Sequence, residues 1–278
     1  MSACMYLSIG GIGLKVNSRD PDFIEKTIRE FKAFISAKEI EDCFSIEVIL
    51  DYIPQEVAGI SVFKKQSIFE IKADEFSGWL DVEHRTATVR VADLAGVFNC
   101  FLRVFYSVVL LEYNGFLVHS AGLAYKNKGY LFVGASESGK TTVAKTAGKD
   151  FKVLSDELVI IRRVNNEIFL FATPFKGEFE GQIVNQYFCL ESILFLSKNI
   201  VNGFRQLNKM EMFTDLMVNI FFFTWDNQSN QKLIDQVNFV CDNLIGYKVD
   251  LFNYDIRRII NGGSDKHSAQ QTSSLAAS

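Results

Sequence analysis

Gly134, Gly139, Lys140 and Thr141 stand at the spacing G-x-x-x-x-G-K-[ST], within the run Gly134-Ala135-Ser136-Glu137-Ser138-Gly139-Lys140-Thr141-Thr142. Residues of these types at this spacing make a phosphate-binding loop. Glycines let the backbone turn so that successive N–H groups point into one concavity that fits phosphate oxygens. A helix starting near Lys140 adds its positive N-terminal end. The Lys140 ammonium reaches the β- and γ-phosphates, and the Thr141 hydroxyl can ligate Mg²⁺. The expected ligand is therefore ATP or another nucleoside triphosphate with Mg²⁺, held by Gly134 to Thr142. A chance glycine-rich turn is the alternative, and it has to meet every fixed position in a strand-to-helix context.

Three further places can carry chemistry. Asp156 and Glu157 interrupt the apolar run Val153–Ile161. Carboxylates in such a strand need partners, and Mg²⁺, Lys140 or a substrate hydroxyl would serve. Successive strand residues point to opposite faces, so at most one of the two faces the phosphates; alternatively the pair marks a tight turn between two strands. His119 lies in the strand-like Phe116–Tyr125, one hairpin before the loop, which brings it near the mouth of the phosphate site. The same position suits a buried polar histidine satisfied by backbone. Last, Thr173-Pro174-Phe175-Lys176-Gly177-Glu178 follows a strand pattern and could close over a ligand.

The elements that position these residues are legible on either side. Tyr130–Val133 is aromatic and β-branched, a buried strand ending at Gly134. The turn Lys126–Gly129 joins it to Phe116–Tyr125. Thr141–Ala147 is a short helix stopped by Gly148. Later come strands at Glu167–Ala172, Ile193–Leu196 and Tyr247–Phe252, and helices opening at Asn208 and spanning Leu233–Cys241 and Tyr254–Ile260.

Before the loop, residues 1 to about 100 are β-rich. Tyr6–Ile9, Phe44–Leu50, Ile60–Phe63, Ser67–Lys72, Trp79–Val82 and Thr86–Val91 read as strands. Asp20 followed by Pro21 starts an amphipathic helix that runs to about Ile35. His84, between Glu83 and Arg85, reads as a solvated surface residue. Leu94–Leu111 is apolar over most of its circumference and should be a buried helix. The division expected is a smaller α+β module at 1–111, a nucleotide-binding domain at 112–262 and a disordered polar tail at 263–278, where His267 is incidental.

Composition narrows the classes. A hydrophobic fraction of 48% over 278 residues supports a sizeable core. Net charge is −4 with no basic block, which argues against nucleic acid as the main partner. The cysteines (Cys4, Cys43, Cys100, Cys189, Cys241) are scattered and odd in number, as in a reduced compartment. No apolar run is long enough to span a bilayer and no signal peptide is visible. The expectation is a soluble cytoplasmic protein with no membrane partner.

Taken together, Gly115-Phe-Leu-Val-His119-Ser-Ala, the phosphate loop and Leu154-Ser-Asp156-Glu157-Leu-Val resemble the catalytic domain of the HPr kinase/phosphorylase family. The Thr173-Pro-Phe-x-Gly-Glu178 loop is similar to a divergent branch found with peptide-modifying systems, including lasso-peptide serine kinases. The resemblance implies an α/β fold of the phosphoenolpyruvate-carboxykinase type preceded by the smaller module, and a kinase that transfers the γ-phosphate of ATP to a hydroxyl. It makes Lys140 the phosphate cation, Asp156 the general base and His119 an active-site residue. Metal would be held by Thr141 and Asp156, with Glu157 and Glu178 as further candidates. The family's HPr-recognition signature is not recognisable after the core, so the acceptor implied is a serine or threonine of another peptide or small protein. The family also raises a homo-oligomer. The rival reading is a nucleotide-binding switch or sensor that hydrolyses or merely binds its ligand.

Overall fold

Apolar side chains alternate with polar ones from Ala3 onward, and that alternation builds the first layer. In the computed structural model, the residues described are 3–57, 59–92, 96–135, 138–197, 204–223, 226–250, 256–257 and 259–260. The 263–278 tail lies outside them, as do positions 254, 255 and 258 of the expected helix Tyr254–Ile260. The first layer comprises β1 (Ala3–Ile9), β2 (Ile12–Ser18), α1 (Pro21–Glu30), β3 (Cys43–Ile49), β4 (Ser61–Lys65), β5 (Ile68–Lys72), β6 (Phe76–Asp81) and β7 (Thr86–Val91). Its seven strands form one mixed sheet in the order β1-β2-β3-β7-β6-β5-β4.

Asp20 caps α1 by accepting the N–H groups of Asp22 and Phe23 at 2.9 and 3.1 Å, and Pro21 takes the first helical position. The helix is shorter than expected. Ile35 is drawn out into extended backbone where it bridges Leu7, and the Ser36 N–H donates to Tyr6 O at 2.9 Å. Pairing with β1 thus replaces the last helical turn.

The buried helix α2 (Val97–Val109) lies between this sheet and a second one. Phe101 and Phe105 meet Phe76 and Phe44 of the first sheet, while Tyr106 meets Phe175 of the second layer at 5.9 Å. One hydrophobic core runs through the first sheet, α2 and the near face of the second sheet. Apolar side chains around the whole helix therefore have a partner on each side.

The second layer holds β8 (Gly115–Tyr125), β9 (Lys128–Val133), α3 (Lys140–Thr146), β10 (Phe151–Ser155), β11 (Leu158–Val164), β12 (Glu167–Phe171), β13 (Tyr187–Leu196), β14 (Phe204–Gln206), α4 (Lys209–Met217), β15 (Ile220–Phe221), α5 (Asn227–Asn243) and β16 (Ile245–Val249). Strand β8 organises it. Lys126 and Asn127, both at positive φ, make a two-residue turn into β9, tighter than the sequence suggests. On its other edge β8 pairs with β10 and β11, whose registers run in one line interrupted at Asp156–Glu157. The carboxylates therefore sit at a break in a strand line, not in a chain reversal. Strand β9 runs parallel to β13, and β11–β12–β13 returns to it, so the pairing closes a ring. The far face of this sheet packs against α3 through a second core that includes Leu123, Phe132 and Val143. Among the described residues no helix is long and apolar enough to cross a membrane.

Candidate active site

The phosphate-loop sequence leaves β9 at Gly134. A Cβ there would lie 2.5 Å from Ser138 Oγ and 3.1 Å from Leu196 Cβ, so only glycine lets the loop fold back over the strand end. The Ser138 N–H closes a turn on Ala135 O at 3.2 Å. Gly139 adopts φ +103°, a conformation that favours glycine, and α3 begins at Lys140. Ser136 and Glu137 lie outside the described residues.

Lys140 is only 7% exposed. Its ammonium donates to Gly134 O at 2.7 Å and Ala135 O at 2.9 Å. Burial pushes its pKa down. Neither contact brings a negative charge, and among the described residues no carboxylate pairs with it. A buried cation held by two neutral carbonyls is set to exchange them for an anion.

Gly139, Lys140, Thr141 and Thr142 line a pocket of 380 Å³ together with His119, Asp156, Glu157, Gly177 and Glu178. Asp156, 2% exposed, faces it from the break between β10 and β11. Its Oδ1 accepts the Gly177 N–H at 2.8 Å and its Oδ2 the Phe179 N–H at 3.1 Å. A Cβ on Gly177 would come within 3.2 Å of Oδ2. Ser155 ties the same loop down: its hydroxyl donates to Phe175 O at 2.6 Å and accepts the Glu157 N–H at 3.2 Å. The carboxylate is thus oriented by backbone amides, with lone pairs left for a ligand.

Glu157 has a different partner. Arg103 of α2 donates from both terminal nitrogens to its two carboxylate oxygens, at 2.7 and 3.0 Å. Arg103 Nε donates to Asn99 Oδ1 at 3.1 Å, and the guanidinium lies over the Phe175 ring. Glu178 is on the open side, 84% exposed, with Lys145 Nζ 3.4 Å away. All four residues of the expected metal set, Thr141, Asp156, Glu157 and Glu178, line this pocket, with Glu157 paired to Arg103 and Glu178 beside Lys145. Among the described residues no three of His, Cys, Asp or Glu converge as a metal site.

His119 lies on the pocket wall, partly enclosed but open to solvent rather than buried as a core histidine, and its backbone N–H donates to Asn219 O at 2.7 Å. Partial burial, and then the Lys140 charge, push its pKa below the ordinary value; Glu157 opposes this and Arg103 adds to it. The imidazole is thereby biased to its neutral form, an acceptor as well as a donor.

Arg103 and Ser155 do not stand out in the motif pattern. Arg103 had a signal, being the one charge in an apolar helix, and a cation so placed needs a carboxylate.

No family model matches this sequence, and no curated protein does. Among solved structures the chain is similar to the Hpr(Ser) kinase/phosphatase from Coxiella burnetii. The identity is 10% and the TM-score 0.33, over 56% of this chain and 98% of that one. A superposition that loose leaves the chemistry of the pocket to be judged from its own residues.

Proposed function

We propose that the protein is an ATP-dependent kinase that phosphorylates a serine or threonine hydroxyl. One observation carries the reading: a single pocket combines a buried lysine, without a carboxylate partner among the described residues, with an amide-oriented aspartate. The first suits the phosphates of a nucleoside triphosphate, and the second suits an attacking hydroxyl. A pure anion-binding site has no use for the second group.

The donor set fits Mg²⁺ in part. Thr141 and Asp156 offer hard oxygen ligands, and Mg²⁺ normally completes its shell with waters and substrate phosphates. When bound it supplies charge neutralisation at the phosphates. The chain's own residues do the rest. Lys140 leaves Gly134 O and Ala135 O for phosphate oxygens. The Gly177 and Phe179 amides hold Asp156 where the acceptor hydroxyl arrives. That oxygen forms a bond to the γ-phosphorus as the bond from phosphorus to the β,γ-bridging oxygen breaks. The electron pair leaves on ADP, and the hydroxyl proton passes to Asp156 and then to water. Neutral His119 has a hydrogen bond to offer at the pocket wall.

The test is transfer from γ-labelled ATP with Mg²⁺, using a lysate of the native host as acceptor pool. Wild type should label a discrete peptide or protein. Asp156→Asn should lose the label and still bind nucleotide, whereas Lys140→Ala should lose both. Label released only as free phosphate would replace the kinase reading with a hydrolysing switch, and bound but unconsumed nucleotide would replace it with a sensor.

A further inference from the structure

The loop that orients Asp156 has a second face. Gly177 and Glu178 line the 380 Å³ pocket. Pro174, Lys176, Gly181, Gln182 and Ile183 instead line a separate groove of 530 Å³. Its opposite wall is the end of α1 and the turn beyond it, Glu30, Lys32, Ala33 and Phe34. Consecutive residues, Lys176 and Gly177, therefore face different cavities, and the groove lies between the first layer and the wall of the candidate active site.

The groove has a definite chemistry. Phe34 and Ile183 are buried and, with Ala33 and Pro174, make an apolar floor. Lys32 and Lys176 are exposed at its rim, and neither has an ion-pair partner among the described residues. The one acid, Glu30, accepts a hydrogen bond from Asn99 Nδ2 at 3.0 Å. The lining thus carries two lysines against one carboxylate, a local excess of positive charge on a chain whose net charge is −4. That local excess selects a short acidic ligand, while the overall negative charge opposes a long polyanion.

We propose that this groove binds the phosphate acceptor as an extended peptide that carries an acidic side chain near its serine or threonine. The proposal rests on the kinase reading and adds the acceptor's class and path. Only this loop separates the two cavities, since Lys176 lines the groove and the next residue, Gly177, lines the pocket. At about 3.4 Å per residue an extended peptide crosses it in roughly three residues. An acidic residue about three positions from the hydroxyl therefore meets Lys32 and Lys176 while the hydroxyl meets Asp156. The apolar floor takes an intervening or flanking aliphatic side chain.

A positional-scanning peptide library tests this. Each peptide has one fixed serine, and one other position is set in turn to Glu, Lys or Ala. Transfer from γ-labelled ATP is read for wild type and for the K32E/K176E double variant. Wild type should prefer Glu over Lys about tenfold at a position about three residues from the serine. The double variant should reverse the preference at that same position. Labelling that ignores charge, or a preference that survives the double variant, overturns the groove and leaves the kinase reading intact. If wild type labels no peptide, equilibrium dialysis with ATP separates the two failures. Bound ATP and a labelled host protein would mean a kinase whose acceptor is not a short peptide, overturning the groove alone, and bound ATP with no labelled acceptor of any kind would overturn both.

Discussion

Arg103 and Glu157 meet in a two-point ion pair, at 2.7 and 3.0 Å, on the wall of the candidate pocket. The arginine comes from the helix between the two sheets, and the glutamate follows the proposed base directly in sequence. The pair compensates a second carboxylate charge on the wall of the pocket proposed to take a triphosphate. Arg103→Ala strips that compensation and should weaken ATP binding about tenfold. Adding Glu157→Gln removes the exposed charge and should restore most of the affinity. Equilibrium dialysis with labelled ATP reads both, and a double variant as weak as the single would mean that Arg103 acts by packing on Phe175.

Gly177 lies where a methyl group would come within 3.2 Å of Asp156 Oδ2. Either the carboxylate or the loop then gives by a few tenths of an ångström. Misplacement by an ångström can cost about a hundredfold in rate, so Gly177→Ala should lower kcat for transfer about tenfold. The phosphate-loop contacts are untouched, so the Kd for ATP should stay within about twofold of wild type. Steady-state kinetics beside a binding isotherm separates the two quantities.

His119 should titrate below an ordinary histidine, because burial and the Lys140 ammonium both disfavour its charge. Lys140→Met removes one cause and should raise the value, and so should an added polyphosphate. Histidine Cε1–H resonances, assigned with His119→Gln, follow this directly among the three histidines of the chain. The sign for stability follows from linkage. The folded protein holds fewer protons at this site than the unfolded chain, so the contribution is present above the unfolded pKa and is lost as pH falls through the folded one. His119→Gln should flatten that part of the stability profile.

The strand, turn and short helix around Gly134–Lys140 were legible because local chemistry demanded them. Gly134 and Gly139 mark a tight approach and a positive φ, and Lys126-Asn127 marks a hairpin. Strand β2 carries its own signal, with Ile12, Leu14 and Val16 alternating against Gly13, Lys15 and Asn17, although the Gly10-Gly11 turn beside it draws attention away. What could not be read locally was pairing across the chain. Ile35 leaves its helix for β1, the strand through Asp156 breaks because Ser155 and the Phe175 loop hold it, and Glu157 turns to an arginine 54 residues earlier. Asp156 and Glu157 line one pocket as their adjacency suggests, but the pairing of Glu157 with Arg103 of α2 is a contact their adjacency does not reveal.

A second long-range pair joins the layers at their edge. Lys64 of β4 donates to Asp226 Oδ2 at 2.8 Å, and the same aspartate caps α5 by accepting the Ser229 N–H at 2.8 Å. Burial alone would raise the Asp226 pKa, but the Lys64 hydrogen bond and the Ser229 N–H and hydroxyl together hold it at about 2. A carboxyl depressed in the fold stabilises above its unfolded pKa, near 4, and loses that contribution as pH falls through about 2. Both side chains are partly exposed, so the expected cost of Asp226→Ala is modest, about 1 kcal/mol at pH 7. Urea unfolding at a series of pH values should show the gap between wild type and Asp226→Ala closing toward pH 2. Lys64→Met should close part of the gap at pH 7 and leave the cap in place. A gap independent of pH would assign the whole effect to helix capping and none to the tie between the layers.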